Sequence, residues 1–142
     1  GIIFGALHPL SSGTSHSAQY AVAGVMKAVN DGTYNYRDDV LEYGKKAKMM
    51  KDAFTSNGFK FTYDEDLGEP IADGFYFTYY YPGFTGAELL EKMLYYGISA
   101  ISLDTCGSTR QGIRACTSLI QRDEIPVLAE RLKRFAEDHP IK

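Results

Sequence analysis

Apolar side chains return every three or four residues in four stretches of this chain, the spacing of a helix with one buried face. Ala18, Val22, Val25, Met26 and Val29 predict a helix over about 17–30. A longer stripe of Tyr36, Val40, Tyr43, Ala47, Met50 and Phe54 is backed by Arg37, Asp38, Lys45, Lys46 and Lys48, which fits a helix lying on a core. Leu89, Leu90, Met93 and Leu94 make a third, and Ile125, Leu128, Leu132 and Phe135 a fourth. Four other stretches read as strands. Phe59, Phe61 and Tyr63 alternate with Lys60 and Thr62, the mark of a half-buried strand. Residues 75–81 are aromatic on both faces, which predicts a central strand; 98–103 and 113–119 supply the remaining two.

The punctuation agrees with this reading. Asn30-Asp31-Gly32, Asn57-Gly58 and Gly97 supply helix stops in which glycine takes the left-handed conformation. Thr85-Gly86-Ala87-Glu88 has the form of a capping box, with threonine and glutamate each serving the other's backbone amide. Ser15 or Ser17 is expected to bond the free amides opening the first helix, and Asp123 to cap the last, with Pro126 tolerated in its first turn. The acidic stretch 64–69 reads as a solvated turn. The order helix–helix–strand–strand–helix–strand–strand–helix predicts an α/β (α+β) sandwich. Its one small sheet, mixed or antiparallel, has about four strands with helices packed on it.

Composition narrows the function classes. A chain of 142 residues suits one domain with a core of its own. The formal charge of −3 argues against a nucleic-acid or membrane-surface role, since both use a basic face. No apolar run approaches the roughly 20 residues that span a bilayer. The opening Gly1-Ile2-Ile3-Phe4 has no basic leader and no initiator methionine, so a longer protein cut at this point is the expectation. Two cysteines outside any C-x-x-C pair, Cys106 and Cys116, fit reduced thiols and a cytoplasmic location.

Most candidate chemistry has an ordinary structural explanation. His8, His16 and His139 are too far apart for a metal site, so no metal is expected. Thr14-Ser15-His16-Ser17 lacks the strand–turn–helix elbow of a serine nucleophile. No phosphate-binding glycine motif occurs, although Gly107-Ser108-Thr109 is small and polar enough to cradle an anion. Tyr76, Tyr79, Tyr80 and Tyr81, four of the eleven tyrosines, suit strand packing. Lys45, Lys46, Lys48 and Lys51 read as a solvated basic face beside Asp38, Asp39, Glu42 and Asp52. Arg114 differs. It interrupts a strand of small residues, which leaves room beside it, and its rigid fork suits a carboxylate. A salt bridge within the chain is the competing use of such an arginine, and Arg110 in the adjoining loop is a second candidate for the same task.

Two segments, Pro70 to Tyr81 and Gly107 to Ser118, together with the order of the elements, resemble the C-terminal small domain of class I/II aminotransferases. These are the fold-type-I enzymes that use pyridoxal 5'-phosphate (PLP). In that family a long helix leads to a strand, a P-x-G-x-F-type turn and a second strand. A G-S-x-F-G-like loop then precedes a strand reading Y-[IL]-R-[IL]-S-[FL]. Pro70 to Phe77, Cys106-Gly107-Ser108 and Gly112 to Ser118 stand at these places, and Leu128, Leu132 and Phe135 on the closing helix. The likeness covers about 17–137.

The resemblance implies that Arg114 grips a substrate α-carboxylate and that Gly74 and Phe75 lie near the substrate entrance. It implies residues 1–16 as a connection from a preceding large domain and 17–142 as the small domain. It further implies amino-acid and 2-oxo-acid substrates, PLP in the full-length enzyme, and a homodimer. Ala115-Cys116-Thr117 after the arginine, and Asp104-Thr105-Cys106 before the loop glycine, depart from the family pattern and bear on side-chain preference. No lysine stands in a Schiff-base context, so no catalytic and no cofactor-binding residue is expected here, and this stretch alone is expected to be inert. Three other readings stay open: another fold-type-I PLP enzyme, a lyase or decarboxylase; a small-molecule-binding or regulatory α/β domain without catalysis; or a purely structural interaction domain whose exposed aromatic strand pairs with a partner chain.

Overall fold

The computed structural model describes residues 1–71 and 74–141. The chain divides into two compact units, residues 1–40 and 41–142.

The first unit carries a π-helical turn at Ile3–Leu7, α1 at His8–Ser11 and α2 at His16–Asn30. Its helix stop is as expected, with Gly32 at φ +73° and the amides of Thr33 and Tyr34 donating to the Ala28 carbonyl. The entrance to α2 is not. Neither Ser15 nor Ser17 serves a free amide; their hydroxyls bond each other at 2.9 Å instead. Gln19 Nε2 reaches back to the Thr14 carbonyl at 3.2 Å. α2 buries no residue, and Val22, Val25, Met26 and Val29 are all exposed.

In the second unit an α+β fold packs helices on a small antiparallel sheet. The strands are β1 (Lys60–Phe61), β4 (Tyr76–Tyr80), β5 (Ile101–Ser102) and β6 (Ile113–Cys116), in the order β1-β4-β6-β5. A separate exposed hairpin, β2 (Glu65–Asp66) with β3 (Glu69–Pro70), occupies the stretch expected to be a turn. Its turn is Leu67-Gly68, both at positive φ, the backbone that matches the twist of a two-residue hairpin. The helices are the part of α3 (Tyr36–Thr55) from residue 41 onward, α4 (Gly86–Tyr95) and α5 (Ile125–Asp138).

β4 is central, as its aromatic content predicts, but its two faces differ. Phe77 and Tyr79 in β4, with Ile113 and Ala115 in β6, are buried under the helices. Tyr76, Thr78, Tyr80, Arg114 and Cys116 alternate with them on the open face. Phe54 of α3 stacks on Tyr79 with ring centroids 4.2 Å apart. Phe135 of α5 meets Phe59, Tyr81, Phe84 and Tyr96. β1 is shorter than its alternation predicts because the Thr78 hydroxyl, not a backbone carbonyl, accepts from the amide of Tyr63. The capping box at Thr85 and Glu88 is fully formed. Asp123 does not cap α5: Glu124 holds that position, and its carboxylate turns back to accept from the Gln121 amide at 2.6 Å. Among the described residues no helix is long and apolar enough to cross a membrane.

Candidate carboxylate-binding site

Arg114 lies in the third position across the sheet, opposite Thr78 of β4 on one side and Ile101 of β5 on the other. Period-2 alternation turns its side chain to the open face, because its neighbours Ile113 and Ala115 are the buried ones. The guanidinium carbon sits 4.4 Å from the ring centroid of Tyr76, a cation–π contact that orients the fork from one side. Arg114 is half-buried, and among the described residues it makes no ion pair and no side-chain hydrogen bond. The competing expectation, a salt bridge within the chain, is therefore not met among those residues.

Cys116 shares this face, opposite Tyr76. Burial opposes ionisation of its thiol. Hydrogen bonds from the Ser118 hydroxyl and from the Ser118 and Leu119 amides, with the charge of Arg114, outweigh burial and hold the thiol below its ordinary pKa. The Cys116 sulfur is 3.0 Å from Ser118 Oγ. The sulfur beside the guanidinium adds a polarisable acceptor to the open face. Both cysteines are free thiols.

The other residues singled out by sequence are placed differently. Phe75 has its ring against Tyr43 of α3, at 4.8 Å, so it and Arg114 do not meet on one face. Its carbonyl instead ties the two strands together, accepting from the Thr117 amide at 2.8 Å and the Thr117 hydroxyl at 3.3 Å. Gly74 has open space where a Cβ would stand, so packing does not demand glycine there. Ala72 and Asp73 of the same motif lie outside the described residues. Arg110 stacks on Tyr63 at 4.6 Å and donates to the Thr62 carbonyl at 2.8 Å. Ser108 accepts from the Arg110 amide and bonds the Tyr63 hydroxyl at 2.7 Å. Arg110 and Ser108 thus spend their groups holding the loop to β1.

Lys46 overturns the reading of its helix as a wholly solvated basic face. It is only 7% exposed, and its ammonium donates to the carbonyls of Ser118 and Ile120 at 3.3 and 3.0 Å. It also lies 4.9 Å over the ring of Tyr43. The signal was present: Lys46 stands three residues after Tyr43 and four before Met50, within the apolar stripe rather than behind it. Lys51 likewise lies over Phe77, at 4.7 Å.

PLP chemistry requires a lysine free to form an imine and a carboxylate facing the ring nitrogen. Lys46, the buried lysine among the described residues, has its ammonium committed to two carbonyls. Neither known protein families nor characterised proteins match the chain when its sequence is compared with theirs.

Proposed function

We propose that this chain is the carboxylate-binding small domain of a cytoplasmic PLP-dependent aminotransferase. In that reading the complete, homodimeric enzyme moves an amino group between an amino acid and a 2-oxo acid. Arg114 holds the substrate carboxylate, while the cofactor and its lysine are carried by other parts of the enzyme. One observation supports this most directly. A half-buried guanidinium stands in a sheet, braced by Tyr76 and with no anionic partner among the described residues. An arginine held in one geometry loses little further side-chain freedom on binding, so its two-pronged pairing is pre-organised for a planar carboxylate.

The test uses the full-length protein supplied with PLP, assayed for amino-group transfer from the common amino acids to 2-oxo acids. Absence of transfer from every donor refutes the aminotransferase reading, and release of carbon dioxide or sulfide instead identifies a decarboxylase or lyase. Arg114→Leu is expected to raise KM by the loss of about 2–5 kcal/mol of carboxylate pairing. An unchanged KM removes Arg114 from the role.

A further inference from the structure

We infer that the second unit carries another ligand site, under α5, that takes a compact apolar monocarboxylate. The inference does not depend on the reading of Arg114, which does not line this cavity, although its strand neighbours Ala115 and Cys116 do. A cavity of about 410 Å³ opens between α3, α5 and the strand ends. That volume lies within the roughly 300–1,000 Å³ of ordinary small-molecule sites.

Met50 and Phe54 of α3, each 2% exposed, line it from the core side, and Ala100 and Leu128 contribute further apolar wall. Leu119, 88% exposed, and Val127, 50% exposed, also line it and remain largely in water. An apolar body placed here covers both.

The charge on the lining selects the head group. Arg131 donates one N–H to the Gly97 carbonyl at 2.7 Å and makes no ion pair among the described residues. The rest of its fork is available to a carboxylate. Glu124 is the acidic lining group, and its carboxylate is occupied by the Gln121 amide. Glu124 stands seven residues before Arg131, about 10 Å along the helix axis, so the two charges mark opposite ends. A monocarboxylate lies with its head toward Arg131 and its apolar tail over Met50 and Phe54. A second anionic group on the ligand would meet Glu124.

The test is an amide-resolved NMR titration of the full chain with 4-methylpentanoate and, separately, with the neutral 4-methylpentanol. The acid is expected to bind about tenfold more tightly than the alcohol, the effect of one charge-assisted hydrogen bond. Shifts should centre on residues 97–100 and 124–131. Arg131→Gln should bring the two ligands within about twofold, and Ala100→Leu, which fills the cavity, should abolish both. Arg114→Leu should change neither, which separates this site from the sheet-face arginine. Equal binding of acid and alcohol, no shifts at about 10 mM ligand, or loss of binding through Arg114→Leu instead of Arg131→Gln overturns the inference.

Discussion

Gly112 hands the loop before β6 to the strand that carries Arg114, and its replacement gives a quantitative check on that geometry. The residue has φ +142°, and a Cβ there would lie 2.5 Å from the Tyr79 carbonyl oxygen, 2.7 Å from Thr62 Oγ1 and 3.1 Å from Leu103 Cδ1. Tyr79 is in the central strand and fully buried, so its backbone has nowhere to retreat. The Gly112 carbonyl is also engaged, accepting from the Leu103 amide at 2.9 Å.

Gly107, five residues earlier, is the control: its φ is +82°, but nothing lies within 4 Å of its Cβ position. Gly107→Ala therefore carries only the left-handed backbone penalty, about 1–2 kcal/mol. Gly112→Ala adds a backbone collision to strain and should cost about 3–5 kcal/mol. Urea unfolding followed by near-ultraviolet circular dichroism of the buried tyrosines reads the difference. The two costs differ by about 1–4 kcal/mol, so with a slope of about 2 kcal/mol per molar urea Gly112→Ala should lower the midpoint by roughly 0.5–2 M more than Gly107→Ala. Equal midpoints for the two variants would show that Gly112 does not abut the Tyr79 carbonyl.

Three further outcomes are expected. Lys46→Met strands the carbonyls of Ser118 and Ile120 and should cost about 1–3 kcal/mol in the same unfolding experiment, whereas Lys45→Met should stay within about 0.5 kcal/mol; equal effects would return Lys46 to the solvated face. The Glu88 carboxyl is held below its ordinary pKa by the Thr85 amide and hydroxyl, so its contribution is present above about pH 4.5 and disappears as pH falls through the lowered value. The melting temperature of the native chain should accordingly exceed that of Glu88→Gln at pH 6 and converge with it in acid; a gap independent of pH contradicts the capping role. In a Cys106→Ser background, the pH profile of Cys116 alkylation should have its midpoint below the 9.0 of an ordinary thiol and shift upward with Arg114→Leu. An unmoved midpoint would place the guanidinium too far from the sulfur.

Local pattern was enough to establish the four longer helices, their stops and a central place for β4, but neither the helical turns of residues 3–11 nor the order of the strands. Spacing of apolar residues, a threonine–glutamate pair three apart and glycines after the last helical turn act through atoms only a few residues away. The same information places Lys46, unlike Lys45, within the apolar stripe, but does not say what it meets: Lys45 is solvated, and Lys46 bonds a segment more than seventy residues further on. That Ser15 and Ser17 bond each other rather than an amide, and that Glu124 rather than Asp123 opens α5, turned on competing partners of nearly equal reach.

Sequence singled out Arg114 through its small neighbours. Its neighbour Tyr76, its open face and its lack of an anion among the described residues come from antiparallel pairing between strands almost forty residues apart. The cavity beside α5 likewise exists only once α3, the strand ends and α5 converge. Periodicity tells which side of an element is apolar. What that side or its opposite meets is decided by contacts distant in the chain, and those contacts set the charge and shape of any site.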